Sequence, residues 1–318
     1  MIGPDPRDAG SLGKSVLLFS PLGLLFLSGC ETAGISFLAP AGPIAALQHH
    51  WFEVILIALA IVILPVLVGV PFCLWRYRLG NKNAPYRPDW QYTLSLEYLV
   101  WGIPAVIVLM LAILIWGAER RYSPQTPINS QTSPLEVQVV ALNWKWLFIY
   151  PAEHVASLDT LALPVGREVR FSLTSDKSMQ SFFIPALGSQ IYAMAGMVTT
   201  LHLRADQPGR YLGENTQFNG MGFQDEKFTV IALPDAAFRN WVTTAHQSPL
   251  ALNDATYRTL LRDGNDHQAV SMLTKDQMPP SDPLQPQGLH FANVPPDFFR
   301  NIVNHVHQPP VSQITVPQ

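Results

Sequence analysis

The sequence predicts a membrane α-helical hairpin of two transmembrane helices, an exported all-β sandwich and a helical C-terminal arm. Three observations predict it. The chain has 318 residues, of which 48% are hydrophobic and only 14% charged, whereas ordinary globular domains carry roughly 25% charged residues. Two uncharged runs, 54–75 and 98–117, are each long enough to cross about 30 Å of hydrocarbon as a helix. Beyond them, short β-branched segments follow one another between Pro, Gly and Asp turns, with no helical periodicity between them. The net charge of −3 leaves no basic excess to hold a nucleic-acid backbone. The two cysteines, Cys30 and Cys73, exclude a disulfide scaffold and a four-cysteine zinc site.

The N-terminal segment has the form of a processing signal. Arg7 and Lys14 precede an apolar run at 15–27, which has the length of a signal-peptide core and is too short to span a bilayer. It ends in Leu27-Ser28-Gly29-Cys30. This resembles the lipobox of bacterial lipoproteins, and the resemblance implies loss of residues 1–29 and covalent diacylglycerol plus an acyl chain on Cys30. More than one chain is what stable anchoring requires.

The mature N-terminal part, 30–125, carries the two spans, at about 51–75 and 97–117. Pro65, Pro71 and Pro104 lie within them, as membrane helices tolerate. Trp51, Trp75, Trp101 and Trp116 sit at or towards the ends, as an aromatic belt requires, and Cys73 is expected to be a small buried hydrophobe. The loop 76–96 holds Arg76, Arg78, Lys82 and Arg87 against Asp89, while 30–53 has no Lys or Arg. The positive-inside rule therefore puts the loop in the cytoplasm and both termini outside.

In the exported part, segments 135–142, 145–150, 167–174, 198–204 and 227–233 are predicted strands. From Asp235 the pattern turns helical. Helices are expected at 235–246 (with Asp235 as N-cap), 252–262 and 296–306, with a Pro-rich linker at 279–296. The domain thus divides into a β part, 126–234, and an arm and tail, 235–318.

Several segments carry a family resemblance over roughly 50–245. They are Asn143-Trp144-Lys145-Trp146 with Tyr150-Pro151, the run from Gln180 through Pro185 to Gly188, and Pro208-Gly209-Arg210-Tyr211. In this order they resemble subunit II of the haem–copper respiratory oxidases, which implies a cupredoxin-like exported domain. In the copper-bearing members that domain holds two copper ions on His, Cys, Cys, His and Met. Here the matching positions are Gln180, Asn215, Asn219, Phe223 and Glu226. No thiolate, imidazole or thioether of the softness Cu(I) favours is left among them. They are degenerate, non-binding positions, and no metal is expected in this chain.

Loss of that centre, the lipobox and the run Gly188-Ser189-Gln190-Ile191-Tyr192 look most like the bo-type quinol oxidases. The resemblance implies a subunit of a proton-translocating ubiquinol oxidase that carries no catalytic residue itself. Haems and copper are expected in the catalytic subunit I, with subunits III and IV, ubiquinol and membrane lipid as partners, and no cytochrome c. The location implied is the bacterial inner membrane, with the large domain in the periplasm. Two alternatives stand: a copper-containing cytochrome c oxidase subunit II, and a redox-inactive cupredoxin-like lipoprotein for assembly or binding.

Glu97 opens the second span, seven residues before Pro104. The resemblance implies that it is the carboxylate at the cytoplasmic mouth of a proton channel, and the bland alternative is an interfacial Glu facing water. Trp144 is expected to be a packed core aromatic, and Met179, Met194, Met197 and Met221 core filler. His49, His50, His305 and His307 are expected at the surface. Asp176, Glu214, Asp225 and Glu226 are open between a partner surface and a solvent path.

Overall fold

The structure is a computed structural model and describes residues 37–85, 88–121, 123–128, 132–188, 190–274 and 288–306. Cys30 and His307 lie outside them.

Helix α1 spans Pro43–Arg76 and α2 spans Leu94–Arg121. Each is longer than its apolar run, because the flanking residues extend the same helix. Both are long and apolar enough to cross a membrane, and their side chains are largely uncovered within this chain. Cys73 is exposed on α1, not buried as expected, because no other described residue covers that face.

Eleven strands follow among the described residues: β1 Leu135–Leu142, β2 Lys145–Tyr150, β3 Val155–Leu158, β4 Thr160–Pro164, β5 Glu168–Ser175, β6 Gln180–Phe183, β7 Gln190–Ala193, β8 Thr199–Arg204, β9 Gly209–Asn215, β10 Lys227–Leu233 and β11 Leu289–Phe291. They form two sheets, ordered β11-β3-β2-β1-β5-β8 and β4-β10-β9-β6-β7. The five predicted strands are all present. The aromatic side chains of Trp146, Phe148, Phe171, Phe182 and Phe228 fill the space between the sheets. Phe182 and Phe228 stack at 5.1 Å, with Trp146 edge-on to Phe182 and tilted against Phe228, a geometry that adds stability beyond burial itself.

The arm explains why β2 is buried at every position instead of alternately. Its helices are α3 Asp235–His246, α4 Asp254–Leu260, α5 Asp266–Thr274 and α6 Phe298–Val306. Leu252, Leu260, Phe291, Phe298 and Ile302 cover the outer face of β1–β3, forming a second core with Val140, Leu142, Leu147 and Ile149. A strand covered on both faces loses its period-two signal. Two expectations are corrected here. The segment expected as a linker contains β11, which pairs with β3. Asp235 is the first helical residue, with Pro234 at the cap position, and its charge suits the positive end of the helix dipole.

The start of α1 is tied to the sandwich. Ala41 N–H donates to Ala186 O at 2.8 Å, and Ala45 N–H to Leu187 O at 3.2 Å. Gly188, at φ 98°, makes this approach possible, because a Cβ there would stand 2.7 Å from Ala45 N. The segment leaving α2 is tied down as well. Ile128 N–H and His202 Nδ1 both meet Glu168 Oε1, at 2.9 and 2.7 Å, in a buried cluster.

Candidate functional site

The β1–β2 hairpin turns through Asn143 and Trp144, and Trp144 takes a left-handed φ of 66°. This aims its ring away from the core and onto the β9–β10 loop. A Cβ on Gly222 would lie 2.1 Å from Trp144 Cδ2, so only glycine fits beneath the indole. Trp144 is therefore a half-buried loop residue, and the core tryptophan is Trp146.

The turn places Lys145 at the start of β2, only 1% exposed. Its ammonium donates to Asn143 O at 3.2 Å and to Arg262 O and Gly264 O at 2.8 Å each. The last two belong to the loop between α4 and α5. Asn143 Nδ2 reaches Asp263 Oδ1 in the same loop at 2.5 Å. Lysines are almost never fully buried unless paired, and nothing in the sequence around Lys145 signalled this clamp.

The five positions singled out as degenerate ligands fall on β6, the end of β9, the following loop, a short 3₁₀ turn at Phe223–Asp225 and the residue just before β10. Three of them converge. Glu226 is fully buried, and its Oε2 accepts from Asn215 Nδ2 at 2.8 Å and Asn219 Nδ2 at 2.6 Å. Asn215 Oδ1 accepts from Ser181 N–H and Gln217 N–H, each at 2.9 Å. Gln180 Nε2 turns to Leu142 O at 2.9 Å. Phe223 packs edge-on against Phe218. Glu226 Oε1, Asn219 Oδ1 and Gln180 Oε1 are buried without a hydrogen-bond partner among the described residues. Burial pushes the Glu226 carboxyl up to about 7, against the opposing pull of Asn215, Asn219 and the Lys145 charge.

This donor set does not fit a dinuclear copper centre. Its amide oxygens are hard neutral donors, its phenyl ring has no lone pair, and its carboxylate is hard and partly protonated at neutral pH, so it offers none of the soft ligands Cu(I) favours. Glu226 is thus neither a partner-facing nor a solvent-facing acid. Of the acids grouped with it, Asp176 and Glu214 are half-buried and Asp225 is exposed. The methionines also depart from expectation. Met179, Met197 and Met221 are exposed and Met194 is half-buried, because all four lie in or beside loops at strand ends. His50 is exposed, and His49 lies beside Glu53.

Glu97 lies in the first turn of α2 and is exposed within this chain. Trp101, one turn further along, donates its indole N–H to Glu97 Oε2 at 3.1 Å.

Comparison with known proteins places this architecture. The family profile described as "Cytochrome C oxidase subunit II, periplasmic domain" matches residues 136–231, which is most of the sandwich. A "Ubiquinol oxidase subunit 2" of Acetobacter aceti is 38% identical over 88% of this chain and 84% of its own length. A "Cytochrome bo(3) ubiquinol oxidase subunit 2" of Pseudomonas aeruginosa is 34% identical over 88% of this chain and 78% of its own. A "Quinol oxidase subunit 2" of Bacillus cereus is 33% identical over 76% of this chain and 83% of its own. With two membrane-capable helices, a matching sandwich and relatives this similar over most of its length, the chain belongs to the ubiquinol oxidase subunit 2 family of the haem–copper oxidases.

Proposed function

We propose that this chain is the copper-free subunit II through which a proton-pumping oxidase draws its electrons from ubiquinol and not from cytochrome c. The observation that carries the reading is the network around Glu226. The positions that match the copper ligands of the copper-bearing members carry amides, a phenyl ring and one buried carboxyl, with Asn215 and Asn219 both donating to Glu226. With no electron port in the exported domain, the donor reaches the complex from within the membrane. The haems and copper then belong to subunit I, and subunits III and IV complete the assembly.

In this reading the chain supplies support and one chemical group. The uncovered apolar faces of α1 and α2 buttress subunit I in the bacterial inner membrane, and the sandwich caps it on the periplasmic side. Lipidated Cys30 adds an anchor to the outer leaflet. Glu97 gathers protons at the cytoplasmic boundary, where the basic loop 76–96 places the start of α2. A carboxylate at a membrane boundary can take a proton from water and pass it inward, and acids within spans commonly mark proton paths. Glu97→Ala is expected to slow quinol-driven oxygen uptake several-fold while leaving haem content and subunit composition unchanged. Wild-type turnover in that variant contradicts this role.

A further inference from the structure

The geometry points to Trp101 as the positioning residue for Glu97, fixing one carboxylate oxygen and leaving the other to carry the proton. This deepens the proton-uptake reading of Glu97 and rests on it. Side chains on a helix lean towards its N-terminus, so a residue at i+4 reaches back over the one at i. Trp101 does so, and its indole N–H meets Glu97 Oε2 at 3.1 Å. The indole offers a donor and no acceptor, so it can hold a carboxylate oxygen but cannot itself receive a proton. One lone pair of Oε2 is thereby occupied, which favours Oε1 as the atom that exchanges protons.

Two further features favour this division of labour. Glu97 N–H donates to Thr93 O at 3.0 Å, while Trp90 Nε1 donates to Thr93 Oγ1 at 3.0 Å. The backbone that carries Glu97 is therefore pinned at the helix start. Pro104 lies inside α2 and has no N–H, so the carbonyl of Val100 lacks its helical donor. Val100 sits between Glu97 and Pro104, one turn deeper than the carboxylate. A pinned start, an oriented carboxylate and a carbonyl without its usual helical donor thus follow one another inward along α2. A freely rotating glutamate would sample many directions along the membrane surface, and the indole removes that freedom.

The test uses the assembled oxidase with W101F, E97Q and the double variant. W101F keeps the aromatic bulk and loses the donor. It is expected to lower kcat about fivefold, with the quinol KM, haem spectrum and subunit composition unchanged, and the double variant is expected to be no slower than E97Q. The inference is overturned if E97Q is slow while W101F turns over at the wild-type rate. It is overturned equally if the two losses multiply in the double variant, since Trp101 then acts elsewhere. Wild-type turnover in E97Q would instead remove the proton-uptake role of Glu97, and this inference with it. Should W101F disturb assembly, W101L supplies the same donor-free comparison.

Discussion

Lys145→Met in the full-length protein is expected to release the C-terminal arm and to destabilise the exported domain by about 1–3 kcal/mol. Methionine matches the length of lysine but donates nothing. Three carbonyls, those of Asn143, Arg262 and Gly264, would lose their shared ammonium at a largely covered site. Unmade hydrogen bonds of buried groups cost more than made ones contribute. The loop between α4 and α5 would then be held chiefly by Asn143 and Asp263. Limited proteolysis of the purified chain should cut within 261–265 well before it cuts the sandwich, and thermal unfolding should move down. An unchanged cleavage pattern and melting temperature would show that the ammonium is not what holds the arm.

Glu226→Gln is expected to act in the opposite sense, and only above mildly acidic pH. The carboxyl sits at about 7 in the folded chain against an ordinary value of 4.5. Between these values the folded protein holds a proton that the unfolded chain has lost, so stability falls as pH rises through that window. The fall amounts to about 3 kcal/mol by pH 8, and below pH 4.5 Glu226 contributes no such penalty. Glutamine keeps an acceptor for Asn215 and Asn219 and carries N–H donors in place of a bare oxygen. The variant should therefore melt with the wild type near pH 4.5 and about 6–10 °C above it at pH 8. A melting difference independent of pH would mean that Glu226 is ionised throughout and compensated by a partner such as Lys145.

Both predictions concern residues whose sequence signal is weak or misleading. The strands β1, β2 and β10 were legible because Val, Ile and aromatic residues cluster between turn residues. The strands β3 and β4 escaped because they are short and buried at every position, which leaves no alternation to find. Two glycines disguise β9, and β11 is a three-residue piece inside Pro-rich chain. Motif order singled out positions 180, 215, 219, 223 and 226. That Asn215, Asn219 and Glu226 join in one polar network was not legible, because it depends on where the two asparagines turn their amides. Lys145 was invisible for a related reason: its three acceptors are backbone carbonyls, two of them more than a hundred residues away. Default readings also failed at Met179, Met197 and Met221, whose apolar character says nothing of the loops that carry them.

The central claim is that this chain belongs to a quinol-driven oxidase and holds no electron port of its own. Purifying the tagged chain from detergent-solubilised membranes, with a visible spectrum, a per-subunit copper assay and turnover on both donors, tests it most directly. The account predicts a haem-bearing, multi-span partner, oxygen uptake with ubiquinol but not with reduced cytochrome c, and no copper in the exported domain. Two coppers bound to this chain, or a chain that comes away alone without haem, would contradict it.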